Sequence, residues 1–391
     1  MAVQALNKLS DDWNHITSLV IYGYGRKAVR LIDFIAKDFE IKYIIDNNPM
    51  LKEKKIQKTV VQELAQVKDD LKGRKIIVTT GGWAYVSIKD SLENIGLQEY
   101  RDFCRYEDFL VEWYWKNKKQ IILSECYLSI TSRCNFRCKN CDQLMPYYTE
   151  RDHFECSVYD IEKTMDALFS KADYLVSLFV LGGEPLLHKG LPEILQKICE
   201  KYKDKVGYLQ LITNGSLLPD ENLMRIIKQN DIDIRLSDYT CAIPYEKRFN
   251  EVKEKLRENG ITCSISKHEE WYDIGIPENK IDQYKTEDEL KQHVMDCGPC
   301  HIVADQKFYY CGVLYNSEKC GFTKLSDTDY IDLTEESTPE KKEMFLAYSI
   351  GEFANGYPEI CNRCYGKSGK NTHSVKPAEQ MEDKKCHFKR P

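Results

Sequence analysis

Three things are scarce in this sequence, and each scarcity closes off a class of function. The longest apolar run, Leu175–Leu181, is far short of the roughly 20 residues that cross a bilayer, so no membrane span is expected. Positive charge is not in surplus: 56 Lys and Arg stand against 62 Asp and Glu, a formal net charge of -6. A nucleic-acid binder concentrates basic residues on a stripe or face. The Lys-rich stretch Lys52–Lys58 is broken by Glu53 and Ile56 and reads as solvated surface, so no nucleic-acid partner is expected. The opening Met1–Trp13 lacks the basic and then apolar regions of a secretory leader, and a cytoplasmic location is expected. Fixed-length repeats and low-complexity tracts are absent as well.

What is present is an ordinary globular composition with an unusual set of cysteines. At 391 residues the length suits two or three domains. Hydrophobic residues at 42% and charged residues at 30% support folded cores and argue against disorder. There are 16 cysteines. In a cytoplasmic chain these are thiols or metal ligands rather than disulfides. They are clustered: three lie within Cys134–Cys141 and seven between Cys297 and Cys386.

The pattern divides the chain into three domains, at residues 1–110, 121–295 and 296–391. In the first, Leu19–Tyr22, Tyr43–Ile45 and Ile76–Val78 read as buried strands, alternating with helices at Lys27–Lys37 and Val86–Ile95. That alternation predicts a small parallel α/β sheet. Glu107–Gln120 reads as a connecting helix. In the second, strands are predicted at Tyr127–Thr131, Leu175–Leu181, Tyr208–Ile212, Ile232–Leu236 and Thr262–Ile265. Helices are predicted at Val158–Lys171, Leu191–Lys203, Glu221–Lys228 and Glu246–Glu258. A sixth strand has no clear position. The third domain is loop-rich and cysteine-rich, a composition that needs bound metal to fold.

Chemistry concentrates after the first strand of the second domain. Thr131-Ser-Arg-Cys134-Asn-Phe-Arg-Cys138-Lys-Asn-Cys141 places three thiolates in eight residues, a spacing that suits an iron–sulfur cluster. Three cysteines on a four-iron cube leave one iron open, where a ligand with an amine and a carboxylate can chelate. The competing reading is zinc, closed by His153 or Cys156 as the fourth ligand. The next strand ends in Gly182-Gly183-Glu184-Pro185. Its glycines allow close approach of a ligand, and Glu184 offers a carboxylate for an ammonium group. Asn214, Ser237 and His268 follow the third, fourth and fifth strands. Loops at the carboxyl ends of parallel strands share one rim, so these residues converge on one site.

The three-cysteine loop, the Gly-Gly-Glu-Pro segment and their strand context resemble the radical S-adenosylmethionine (SAM) superfamily over about Cys126–Met295. The resemblance implies a partial barrel of six βα units. It also implies a 4Fe-4S cluster on Cys134, Cys138 and Cys141 with SAM at the open iron. Glu184 would bind the SAM amino group, with Gly182, Gly183, Asn214 and Ser237 as further contacts. A reductant such as flavodoxin or ferredoxin is implied too. The residue before the third cysteine, often aromatic in this superfamily, is Asn140 here.

In the third domain, Cys300 and Cys311 bracket a predicted hairpin, and Cys361-Asn-Arg-Cys364 follows about sixty residues after Cys300. Two separated pairs can close a cluster; a zinc ribbon using Cys297 is the alternative. The region resembles the auxiliary-cluster domains called SPASM and Twitch. With only Cys386 beyond Cys364, the resemblance implies one auxiliary 4Fe-4S cluster on Cys300, Cys311, Cys361 and Cys364, with Cys297 and Cys320 in reserve. Gln306 and Lys307 stand where the family's hairpin glycine is usual. The tail through Pro377-Ala-Glu-Gln380 resembles a subgroup associated with sugar and polysaccharide modification.

The first domain carries Gly23-Tyr-Gly25-Arg-Lys-Ala28 between a strand and a helix, with Asp46 ending the second strand. This fits a dinucleotide fingerprint, in which the helix amino terminus holds a phosphate and the acid a ribose. A docking fold that binds no nucleotide is the alternative. The domain resembles half-Rossmann domains of proteins that handle nucleotide-activated sugars. The expected whole is therefore an α/β protein: an amino-terminal Rossmann-like domain, a partial (βα)6 radical SAM barrel and a cysteine-rich auxiliary-cluster domain. Its expected reaction is hydrogen abstraction from a carbohydrate or nucleotide sugar, ending in oxidation, epimerisation or dehydration, with oxidation favoured over epimerisation. Epimerisation would need a hydrogen-donating thiol, and Cys241, just past the fourth strand, is the candidate. A peptide-modifying enzyme and a non-catalytic metal-binding protein are the alternatives.

Overall fold

The computed structural model describes residues 6–267, 269–353, 356–367 and 370–381; His268 and Cys386 lie outside them. The described residues fall into two compact units. One lies within Met1–Ser124, Ala172–Val176 and Ser337–Ala354, the other within Glu125–Lys171, Ser177–Glu336 and Asn355–Pro391.

The first unit is built on a six-stranded sheet of β1 (Ser18–Tyr22), β2 (Glu40–Ile45), β3 (Lys55–Ile56), β4 (Thr59–Gln62), β5 (Ile76–Val78) and β6 (Phe103–Arg105), ordered β3-β4-β2-β1-β5-β6. Pairing is parallel throughout except for β3 on β4. Strand β1 is central because its apolar residues are covered on both faces, and Leu19–Tyr22 are all buried. The helix α1 (Arg26–Ile35) packs through Ala28, Leu31, Ile32 and Ile35, a stripe at three- and four-residue spacing. From β1 the chain first builds toward β2 and later crosses to β5 on the other side. The gap between β1 and β5 is thus a topological switch point.

The other sheet has eight strands among the described residues, most of them in the second unit. Strands β7 (Ile122–Ser129), β8 (Tyr174–Leu181), β9 (Val206–Thr213), β10 (Asp233–Asp238) and β11 (Cys263–Lys267) lie in chain order. Helices Val158–Lys171, Leu191–Tyr202, Glu221–Gln229 and Glu246–Glu258 sit in the four connections. The sixth strand without a clear position in the sequence is β12 (Ile302–Ala304), from the cysteine-rich segment. It pairs in parallel with β7, on the side away from β8. It turns back antiparallel into β13 (Lys307–Tyr309), and β14 (Ile331–Asp332) pairs antiparallel with β13 at the edge opposite β11. That turn is made by Asp305 and Gln306, both left-handed with φ of 51° and 58°, as a two-residue hairpin requires. Lys307 already belongs to the strand.

Candidate active site

The loop after β7 is held against the loop after β8 by backbone pairing. Gly183 N–H donates to Thr131 O at 2.8 Å and Glu184 N–H donates to Arg133 O at 2.8 Å. This contact requires glycine. A Cβ on Gly182 would stand 2.4 Å from Thr131 O, and one on Gly183 would stand 2.3 Å from Arg133 O. The two loops therefore fold as one piece, with the three thiols on it.

Glu184 is the brace behind that piece. Its side chain is fully buried. One oxygen accepts from Thr213 Oγ1 at 2.7 Å and Leu186 N–H at 3.0 Å; the other accepts from Asn214 N–H at 2.8 Å. Burial pushes its carboxyl up to about 7 despite those three donors. Asn214 extends the brace, its side-chain amide donating to Asn135 Oδ1 at 3.0 Å on the cysteine loop. The loops after β7, β8 and β9 are thus tied through Glu184 and Asn214.

In front of them lies a cavity of about 460 Å³. Cys134, Cys138, Cys141, Gly182 and Gly183 line one side, with Asn214 and Ser237. Trp271 and Lys367 face it as well, and Lys367 pairs with Asp142 at 2.7 Å. Among the described residues no three His, Cys, Asp or Glu side chains converge closely enough to hold a metal ion; the thiols share a wall rather than a point. The donor set nevertheless suits iron. Burial raises all three thiols, Cys141 to about 12, and hydrogen-bond donors face two of the sulfurs. Phe136 N–H reaches Cys134 Sγ at 3.4 Å and Gln380 Nε2 reaches Cys138 Sγ at 3.3 Å. Donors on a buried sulfur favour the thiolate that a metal needs.

The second cysteine set also gathers. Cys300 and Cys311 meet in an isolated bridge. Cys311, Cys361 and Cys364 lie within electrostatic reach of one another, and Cys297 lies within reach of all four. Gly366 N–H donates to Cys364 Sγ at 3.3 Å and Lys367 N–H to Cys297 Sγ at 3.4 Å. Cys300 differs from the rest in lining the cavity of the first three thiols. Cys320 is buried, its thiol against Leu144 O at 3.9 Å.

Other predicted residues fall elsewhere. Cys241 is exposed in the turn after β10 and is not brought to the cavity. In the first unit, Gly23 turns the chain at φ +94°, with Thr80 Cγ2 2.5 Å from where its Cβ would be. Gly25 caps α1 and faces open space, and Ala28 is fully buried. Asp46 serves the backbone, accepting from Tyr24 N–H at 2.6 Å and Asn48 N–H at 2.7 Å. Cys297 and Gln380 gain weight from packing that their sequence positions did not disclose.

Residues 128–281 match the family model described as the Radical SAM superfamily. GTP 3',8-cyclase of Campylobacter jejuni subsp. doylei is 36% identical over 97 residues, 24% of this chain and 28% of that protein. The antilisterial bacteriocin subtilosin biosynthesis protein AlbA of Bacillus subtilis is 35% identical over 97 residues, 24% of this chain and 19% of that protein. The chain thus matches less than a third of the length of these curated relatives. Among solved structures, BtrN in complex with AdoMet and 2-DOIA aligns with a TM-score of 0.42 at 18% identity, over 67% of this chain and 98% of that one. Native anSMEcpe with bound AdoMet aligns at 0.39 and 15% identity, over 59% and 82%.

Proposed function

Residues 128–281 form a radical SAM domain, and from that premise we propose that the chain abstracts hydrogen from a carbohydrate or nucleotide-sugar substrate. The observation that carries the reading is the three-thiol loop folded as one piece with Gly182–Glu184 against a shared cavity. Cys134, Cys138 and Cys141 would hold a 4Fe-4S cluster and leave one iron for SAM. When bound, that pair supplies a 5'-deoxyadenosyl radical that takes the hydrogen atom.

The chain's own residues orient and enclose. Gly182 and Gly183 set the depth of the loop, and Glu184 and Asn214 fix three loops in one register. Ser237 offers a further contact from the cavity wall. The auxiliary cluster would take four of the five gathered thiols Cys297, Cys300, Cys311, Cys361 and Cys364. The carbohydrate part of the proposal leans on the first unit. Its switch point and the open space at Gly25 suit a nucleotide phosphate, with α1 presenting its amino terminus. Asp46 accepts one backbone N–H on each carboxylate oxygen and keeps lone pairs for a ribose hydroxyl.

A peptide substrate is the second reading, favoured by the similarity to a bacteriocin biosynthesis protein. The deciding experiment is anaerobic reconstitution with iron and sulfide, then incubation with SAM, a flavodoxin or dithionite, and panels of nucleotide sugars and peptides. 5'-Deoxyadenosine should form and increase with a sugar nucleotide. Stoichiometric zinc with little iron would overturn the radical SAM reading, and stimulation by peptides alone would replace the carbohydrate one.

A further inference from the structure

The segment Pro377–Met381 lies along the cysteine loop of the candidate active site. Cys138 and Gln380 form an antiparallel bridge. Lys139 N–H donates to Glu379 O at 2.7 Å, and Met381 N–H donates to Arg137 O at 2.8 Å. Between these backbone bonds, the Gln380 side chain makes two contacts to the loop. Its Oε1 accepts from Arg137 N–H at 2.8 Å, and its Nε2 donates to Cys138 Sγ at 3.3 Å and to Ala378 O at 2.8 Å. The amide's orientation follows from the partners: a backbone N–H can only donate and a backbone carbonyl can only accept. The amino end of the side chain must therefore face the sulfur.

Resting on the radical SAM reading, we infer that Gln380 is a positioning residue that donates a hydrogen bond to the Cys138 thiolate and so raises the reduction potential of the cluster held there. Hydrogen bonds to ligand sulfurs and the partners around them tune iron–sulfur potentials. A donor withdraws charge from the sulfur and stabilises the more negative, reduced cluster. The backbone bonds on either side hold Gln380 in register with Cys138. Gln380 itself is largely exposed, so replacing it leaves the hydrophobic core untouched.

The test compares the full chain with Gln380→Leu and Gln380→Glu after anaerobic reconstitution. An EPR-monitored redox titration follows the cluster whose signal responds to SAM. Gln380→Glu keeps an oxygen for Arg137 N–H but sets a carboxylate, not a donor, beside the sulfur. Both variants should hold full iron and titrate lower, with Gln380→Glu the lower of the two. A tenfold fall in the reduced-to-oxidised ratio at fixed poise would correspond to about 59 mV for a one-electron couple. Full iron with unchanged midpoints in both variants overturns the inference. Loss of iron in Gln380→Leu leaves the decision to Gln380→Glu, and loss in both makes Gln380 a clasp rather than a tuning donor. If the unaltered chain takes up no iron, the radical SAM reading fails and this inference falls with it.

Discussion

Glu184 is the residue on which the most geometry depends. A carboxylate with three donors and no exposure is well suited to hold three loops in register, and poorly replaced by an amide. Glu184→Gln puts an NH2 against Asn214 N–H or against Thr213 and Leu186, leaving buried donors unpaired. The expected loss of stability is about 1–3 kcal/mol, read from urea denaturation, with SAM cleavage reduced at least in proportion. The same residue predicts a pH dependence. Its folded carboxyl, raised by burial to about 7, lies above an ordinary carboxyl near 4.5. Between those values the folded chain binds the extra proton, so this contribution to stability is full below about 4.5 and is lost as pH rises toward 7. In the metal-free protein, the stability of the native sequence relative to Glu184→Gln should therefore fall from pH 4.5 to 7. A rise over that window would show that the three donors outweigh burial.

At the scale of elements, the periodic segments were legible and the loop contacts were not. The helices Val158–Lys171 and Glu246–Glu258 have the residues their apolar spacing predicts, because the stripe that marks them in sequence is the face they bury. Strand β6 (Phe103–Arg105) was missed because three residues carry no period. The sixth parallel strand was missed because it comes from the cysteine-rich segment and joins the sheet at β7 rather than beyond β11. Gly182 and Gly183 were legible as a close approach. What they approach in the fold is the backbone of Thr131 and Arg133, a pairing no local pattern encodes. Gly183→Ala should then push the cysteine loop away from β8. A loss of about 1–3 kcal/mol, the usual cost of overpacking, should come with less iron taken up on reconstitution; full iron at unchanged stability would contradict the tight contact. Gly25 predicts the reverse behaviour. Its Cβ would meet nothing within 4 Å, so Gly25→Val should fold normally and lose affinity only for a ligand whose phosphate occupies that space. Isothermal titration with nucleotides and nucleotide sugars reads it, and equal affinity in both proteins would favour a docking role for this sheet.

At the scale of the whole molecule, the arrangement of sulfur decides how many clusters the chain holds and where. The resemblance to auxiliary-cluster domains implies Cys300, Cys311, Cys361 and Cys364, with Cys297 and Cys320 in reserve. Packing separates Cys297 from Cys300. Cys297 and Cys311 lie within electrostatic reach of Cys361 and Cys364, and the Cys297 sulfur receives a backbone N–H from Lys367, as Cys364 does from Gly366. Cys300 forms a backbone bridge with Cys311 and also lines the cavity of Cys134, Cys138 and Cys141. A four-iron cluster closed by protein needs four thiolates, so one of the five gathered thiols is surplus. We predict that Cys297→Ala lowers the iron content from about eight to about four per chain while SAM cleavage without substrate persists. Cys300→Ala should keep about eight irons and alter only turnover of substrate, since its thiol faces the reacting cavity. Iron and sulfide quantification on the two variants, beside 5'-deoxyadenosine and product yields, separates the cases. If Cys300→Ala loses the four irons and Cys297→Ala keeps them, the ligand set is the one the resemblance implies, and Cys297 is an ordinary buried thiol held by the turn at Lys367.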